Sequence, residues 1–201
     1  MTFFLLNCFV VAQAQTSVDS TRLAQDFYET GDLRYDSGNY AEAIADYDKA
    51  ILLKLNFADA FNSRGYSKSN LFKYEEALLD LNEAVRLNPN NPFYFRNRAQ
   101  TYEGLKKYAN ALTDYDEAIR LKPSSDNLYN FRASIKVKLK KYDEAFSDYD
   151  EAIRLNLNNS DSWLGHPIQR AHQSCQSHRV PQVLVAGIVG HAPHPVEVCP
   201  C

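Results

Sequence analysis

One sentence of sequence is written four times in this chain, at a constant interval that takes Tyr40 to Tyr74, Tyr108 and Tyr142. The copies are clearest as Tyr40-Ala-Glu-Ala-Ile-Ala-Asp-Tyr-Asp-Lys-Ala-Ile, Tyr74-Glu-Glu-Ala-Leu-Leu-Asp-Leu-Asn-Glu-Ala-Val, Tyr108-Ala-Asn-Ala-Leu-Thr-Asp-Tyr-Asp-Glu-Ala-Ile and Tyr142-Asp-Glu-Ala-Phe-Ser-Asp-Tyr-Asp-Glu-Ala-Ile. A fixed period without insertions predicts identical units stacked on one another. Such an array offers a continuous surface rather than an enclosed pocket, which points away from catalysis.

Within a unit the residues predict a helix hairpin. In the unit that begins at Ala58, Phe61, Gly65, Tyr66 and Leu71 mark a first helix. Tyr74, Ala77, Leu78, Leu81, Ala84 and Val85 recur at spacings of three and four along one face of a second. The link around Phe72-Lys73 leaves room only for a tight antiparallel turn, and Pro89 with Asn90-Asn91 stops the second helix. Small residues recur where the helices must touch. They are Gly31, Gly65, Ala99 and Ala133 on the first helices, with Ala43, Ala77, Ala111, Ala145 and Ala50, Ala84, Ala118, Ala152 on the second. One hairpin cannot bury its apolar face alone, so the four together are expected to share one core. The fold class is therefore all-α: a solenoid of stacked antiparallel hairpins at 24–57, 58–91, 92–125 and 126–159, the start of a fifth at 160–166, and an irregular tail at 167–201.

These residues resemble the tetratricopeptide repeat. Phe27-Gly31-Ala43-Tyr47-Ala50 and its three successors match the family's spacing of aromatic, small and alanine positions from about Ala24 to Asn159. Leu55 and Leu157 stand where the family has its terminal proline, and Thr30 and Arg34 are atypical in the first unit. The resemblance implies a right-handed superhelix whose concave groove binds a peptide or partner protein. It places Tyr28, Asp32, Asp59, Asn62, Ser63, Tyr66, Asn70, Phe93, Arg96, Asn97, Gln100, Glu103, Asn127, Asn130, Phe131 and Ser134 along that groove. The set is rich in Asn and aromatic side chains, which suits an extended peptide backbone with some stacking, and a solvated surface is the competing reading. One subclass of the family grips a C-terminal carboxylate with Lys and Arg across three repeats. The corresponding positions here are Tyr28, Asp32, Ser63, Phe93 and Asn97, or one repeat later Asn62, Tyr66, Asn97, Asn127 and Phe131. Neither set contains a basic residue, so a carboxylate clamp is not expected and Arg96 is a poor substitute.

Arg64, Arg98 and Arg132 share one repeat position, and Asp46, Asp80, Asp114 and Asp148 share another. The favoured pairing joins each Asp to the Arg of the following repeat, Asp46 with Arg64, Asp80 with Arg98 and Asp114 with Arg132, tying hairpin to hairpin. Pairing within a repeat, Arg64 with Asp80 and its equivalents, fits the spacing nearly as well. Either role is structural.

The net charge of −3 is dispersed through the repeats, so nothing electrostatic favours nucleic acid as a partner. The repeats contain neither His nor Cys and no phosphate-cradling glycine loop; no catalytic residue, metal ligand or cofactor is assigned there, and the chain is read as a non-enzyme. At the start, the apolar stretch Phe3–Ala12 ending in Ala12-Gln13-Ala14 reads as a signal segment over 1–14, followed by a lead-in at 15–23, although no Lys or Arg precedes it. That predicts export to a periplasmic or extracellular location, with the cytoplasm as the alternative if the signal is not genuine. It also leaves no stable membrane span in the mature chain.

After about Leu164 the composition changes. Every His lies between His166 and His194, and the last Lys is Lys141. Trp163 falls on the aromatic position of a fifth repeat, but Pro167 arrives where the small packing residue belongs. The abrupt shift predicts a foreign segment from Gly165 onward, an out-of-frame or truncated end of a longer array. The rival reading takes His172, Cys175, His178, His191, His194, Cys199 and Cys201 as a metal or redox centre mounted on the repeats, although their spacing matches no compact zinc motif. An array whose last unit lacks a polar cap is also expected to fray or self-associate through that end.

Overall fold

The computed structural model describes the backbone of residues 2–159 and the side chains of residues 19–157, all within the first of two compact units, 1–159 and 160–201. Its order is α1 (Thr2–Asp36), α2 (Tyr40–Leu53), α3 (Ala58–Asn70), α4 (Tyr74–Leu87), α5 (Pro92–Gly104), α6 (Tyr108–Leu121), α7 (Asp126–Lys138) and α8 (Tyr142–Asn159). Each consecutive pair forms an antiparallel hairpin, and each hairpin packs its second helix on the first helix of the next. The unit is an all-α solenoid. The backbone of α1 runs without a break from Thr2 through the proposed signal and lead-in segments into the first repeat. The cleavage site, Trp163 and the His- and Cys-bearing tail lie outside the described side chains.

The turn inside every hairpin is the same device. Gly38, Phe72, Lys106 and Lys140, one per repeat, all have φ between 58° and 79°. In the third repeat the Lys107 amide donates to Tyr102 O at 2.8 Å and the Lys106 amide to Glu103 O at 2.8 Å. That is the double bond of a Schellman motif, which satisfies carbonyls at the end of a helix and needs a left-handed residue between them. Only the first repeat uses glycine there. Between hairpins, Asn91 caps α5 by accepting the Phe93 amide at 3.0 Å, with Pro92 at the first helical position.

The small residues sit at the contacts they were expected to make. The alanines at 43, 50, 77, 84, 99, 111, 118 and 133 are fully buried. A Cβ on Gly65 would stand 2.9 Å from Leu81 Cγ and 3.0 Å from Ala77 O, so the two helices of the second hairpin approach as closely as a hydrogen side chain allows. The aromatic at the start of each second helix fills the space between hairpins: a Cβ on Gly104 would meet the Tyr74 ring at 2.5 Å. Tyr142, with no described helix beyond it, is exposed. Ile51 and Ile119 are 8% exposed under the next hairpin, whereas Ile153 at the same repeat position is 52% exposed.

The Arg–Asp pairing differs from the favoured expectation. Asp46, Asp80 and Asp114 do not reach the Arg of the following repeat. Arg64, Arg98 and Arg132 instead bind Asp80, Asp114 and Asp148 of their own repeat through Nε and Nη2. Their remaining nitrogen, Nη1, crosses to the preceding repeat and meets Asp48 at 2.6 Å, Asn82 at 2.9 Å and Asp116 at 2.7 Å. The guanidinium does link hairpins, but through residues two places beyond those expected. Asp46, in the repeat with Thr30 at the arginine position, is served by Arg34 Nη1 at 2.7 Å and Lys49 Nζ at 2.9 Å.

Candidate functional site

The four first helices make one face of the array. α3 touches both α1 and α5, whereas the second helices make no comparable contact with one another. The first helices α1, α3 and α5 thus stand closer to one another than the second helices do, on the side where the groove is expected.

Across that face runs a ladder of polar contacts, each joining a residue to one a single place beyond its equivalent in the next repeat. Tyr94 Oη donates to Asp59 Oδ1 at 2.5 Å, Asn97 Nδ2 to Asn62 Oδ1 at 2.9 Å, and Asn70 Nδ2 to Tyr35 Oη at 3.1 Å. Lys138 Nζ reaches Glu103 Oε1 over the same offset. These bonds hold neighbouring first helices in register and leave a half-buried polar floor. The residues at the two ends of that offset vary from repeat to repeat and so carry no periodic signal in the sequence.

The expected groove residues separate into four groups. Asn62 and Asn97 are committed to one another. Asn97 is buried, and its Oδ1 also accepts from Arg96 Nε at 3.2 Å and Nη2 at 3.0 Å. Tyr28, Tyr66 and Phe131 form walls: Tyr28 packs on Tyr47 and Phe57, Tyr66 stacks on Tyr35 at 5.8 Å, and Phe131 stacks on Tyr115 at 6.0 Å. Asp59, Phe93, Asn127 and Asn130 are exposed; the Phe93 ring lies beneath Arg96 and Lys122. Gln100 lines a cleft of about 320 Å³ between α3, the start of α4 and α5, together with Tyr66, Ser69, Asn70, Phe72, Tyr74 and Glu103. Tyr35, Tyr94 and Tyr115 belong to the site but were not among the residues expected there.

Asp32, Tyr66 and Gln100 occupy one repeat position, on α1, α3 and α5 in turn. Behind them lies the matching position of the second helices. Tyr47 Oη donates to Asp32 Oδ1 at 2.7 Å. At the equivalent place in the third repeat, Gln100 Oε1 and the buried Tyr115 Oη have no hydrogen-bond partner. Burial raises the Asp32 carboxyl above its ordinary range; hydroxyls of Tyr47 and Tyr28 oppose this, and Asp36 and Asp59 add to it. Burial also pushes Tyr28 and Tyr35 up to about 12. Among the described residues no group of three or more His, Cys, Asp or Glu is placed to hold a metal ion, and no helix is long and apolar enough to cross a membrane.

Family models agree with this architecture. A TPR repeat model matches residues 31–70, and tetratricopeptide repeat models match 58–91, 92–125 and 126–159. The chain belongs to the tetratricopeptide repeat family. No curated protein matches it in sequence. Among solved structures the tetratricopeptide array is similar to MamA from Desulfovibrio magneticus RS-1, at TM-score 0.64 and 18% identity over 69% of this chain and 78% of that one. It is also similar to the first TPR domain of human RPAP3, at TM-score 0.58 and 25% identity over 61% and 97%. A third relative is the first TPR of Spaghetti (RPAP3) bound to the HSP90 peptide SRMEEVD, at TM-score 0.58 and 26% identity over 60% and 95%.

Proposed function

We propose that the concave face of this array binds an extended segment of a partner protein and that the chain works as a non-enzymatic interaction module. The observation that carries the reading is the floor between α1, α3 and α5. Rows of aromatic and amide side chains, Tyr28, Tyr66, Asn62 and Gln100 among them, stand half-buried there. Such groups suit a ligand that supplies its own backbone N–H and C=O groups. The peptide held by the RPAP3 repeat supports the reading for a relative of the same fold. That peptide is acidic, and the positions here that correspond to a carboxylate clamp bear no Lys or Arg, so a different ligand chemistry is expected.

The test is affinity capture with the full chain as bait, followed by mapping of the bound protein with synthetic peptides. Arg96→Ala and Asn130→Ala, on the first helices, should each weaken peptide binding about fivefold or more, Asn130→Ala at unchanged thermal stability. Leu79→Ala, exposed on the second helix α4, should leave it unchanged. Binding that follows Leu79 and ignores both groove variants would put the contact on the outer helices instead.

A further inference from the structure

We propose that the third repeat carries an anion subsite, in which Arg96, seated on the ring of Phe93 with Lys122 sharing that ring, receives the side-chain carboxylate of a Glu or Asp within the bound peptide. The inference rests on the peptide-binding reading and names the side chain it selects.

Arg96 stands apart from the other arginines of the array. From Arg34 to Arg154, every other arginine meets an Asp or Glu. Arg96 meets none among the described residues. Its side fork goes to a neutral atom, with Nε and Nη2 both donating to Asn97 Oδ1 at 3.2 and 3.0 Å. Asn97 is buried and its own Nδ2 donates to Asn62 Oδ1 at 2.9 Å, so the acceptor beside Arg96 is fixed. The guanidinium also lies over the Phe93 ring, 5.1 Å from its centroid. One edge and one face of the group are thereby occupied. The end fork, Nη1 with the second hydrogen of Nη2, has no partner among the described residues. Two parallel N–H groups of that kind match the two oxygens of a carboxylate. A half-buried cation held in one orientation, with no carboxylate to neutralise it, favours an anionic ligand and loses little freedom in binding it.

A second cation shares the ring. Lys122 Nζ stands 5.2 Å from the Phe93 centroid and forms no ion pair among the described residues. These three positions depart from the period together. In the second repeat they hold Asp59, Asn62 and Asn88, and in the fourth Asn127, Asn130 and Asn156. Between those two polar sets the third repeat brings an aromatic ring and two cations into contact. Like charges so placed repel one another, and an anion held by Arg96 relieves that repulsion. The Phe93 ring, 46% exposed, offers the stem of the acidic side chain an apolar surface. This is not a carboxylate clamp: the cations belong to a single repeat and act on a side chain in mid-peptide, and the positions that would hold a C-terminus bear no basic residue.

The experiment uses the full chain and a positional-scanning library of acetylated, amidated octapeptides with Glu, Gln or Lys at the scanned position. Affinities are read by fluorescence anisotropy at two salt concentrations. The tightest Glu peptides should bind about tenfold more tightly than their Gln counterparts, and added salt should shrink the difference. Arg96→Gln should remove most of that preference and Lys122→Gln, at an exposed site, part of it. Lys73→Gln, an equal change of charge at another exposed lysine, should leave it intact. Lys122→Gln keeps the test decisive if Arg96→Gln folds poorly. The free-acid form of a Glu peptide should bind no tighter than its amide. Equal binding of Glu and Gln peptides, a preference for Lys, or a preference that needs a free C-terminus would overturn the subsite and leave the groove reading intact. So would equal losses in Lys73→Gln and Lys122→Gln, which would trace the effect to net charge. Failure of every peptide to bind would overturn both.

Discussion

Arg98 holds Asp114 with two parallel hydrogen bonds, Nε to Oδ2 at 2.8 Å and Nη2 to Oδ1 at 2.7 Å, and is the only cation paired with it among the described residues. Asp80 is better provided, with Lys68 Nζ at 2.8 Å in addition to Arg64. Removing the arginine therefore strands Asp114 but not Asp80. Arg98→Ala should destabilise the array by about 2–4 kcal/mol and Arg64→Ala by about half as much, in urea unfolding. A double-mutant cycle should return about 1.5–3 kcal/mol of coupling for Arg98 with Asp114, and under about 0.5 kcal/mol for Arg98 with Asp80.

The left-handed turn position gives a substitution of opposite sign. Lys106 has φ 58° and an exposed side chain, and a residue with a Cβ is disfavoured there. Lys106→Gly should stabilise by about 0.5–1 kcal/mol, while Gly38→Ala should destabilise by about 1 kcal/mol. Thermal melts of the two variants, shifting in opposite directions, would check this.

Gly65→Ala tests the close approach of α3 and α4. Helix propensity favours alanine by about 1 kcal/mol, but the added Cβ would press on Leu81 and on the Ala77 carbonyl oxygen, which is backbone and cannot turn aside. The overpacking should win, for a net loss of about 1–2 kcal/mol. Ala111→Leu, at a fully buried contact, should cost about 1–3 kcal/mol for the same reason. Equal or raised stability in either would show that the hairpins can move apart freely.

The terminal repeat should be the weakest. Ile119→Ala removes a side chain that is 8% exposed and should cost about 2–4 kcal/mol; Ile153→Ala, at the same repeat position but half exposed, should cost under about 1 kcal/mol. Amide exchange should be fastest in α7 and α8 among the hairpins. Uniform protection across all four would count against an open end.

Two aspartates should titrate with opposite consequences. Burial alone would raise the Asp148 carboxyl, but hydrogen bonds from Arg132 and Lys136 outweigh it and hold the group below its ordinary range. Its contribution is then complete above the unfolded-state value near pH 4 and is lost as pH falls through the lower folded value. Asp32 is raised, so its ionised form opposes folding at neutral pH and protonation relieves this as pH falls toward the unfolded value. Asp148→Asn should destabilise at pH 7 and lose that effect in acid. Asp32→Asn should stabilise slightly at pH 7, as followed by unfolding across a pH series.

The hairpins, their small-residue contacts and their boundaries could be read from the chain because each is set by local spacing. An alanine at every third or fourth place means a helix face wherever it occurs, and repetition at a fixed interval forces the copies to stack. Which carboxylate an arginine meets is not local. Asp46 and Asp48 are separated by one residue and so point to different sides of α2, one buried in its own hairpin and the other facing Arg64 of the next. Only the rotation of α2 against α3 decides between them. The polar contacts of the first helices divide in the same way: the helices themselves followed from the repeat, but the union of Asn62 with Asn97 and that of Asp32 with Tyr47 depend on how the helices cross. By itself the sequence determined the period, the helices and the residues that let them touch. The tertiary structure decided which polar groups satisfy one another, because hydrogen bonds and ion pairs depend on ångström-scale placement that spacing along a chain does not specify.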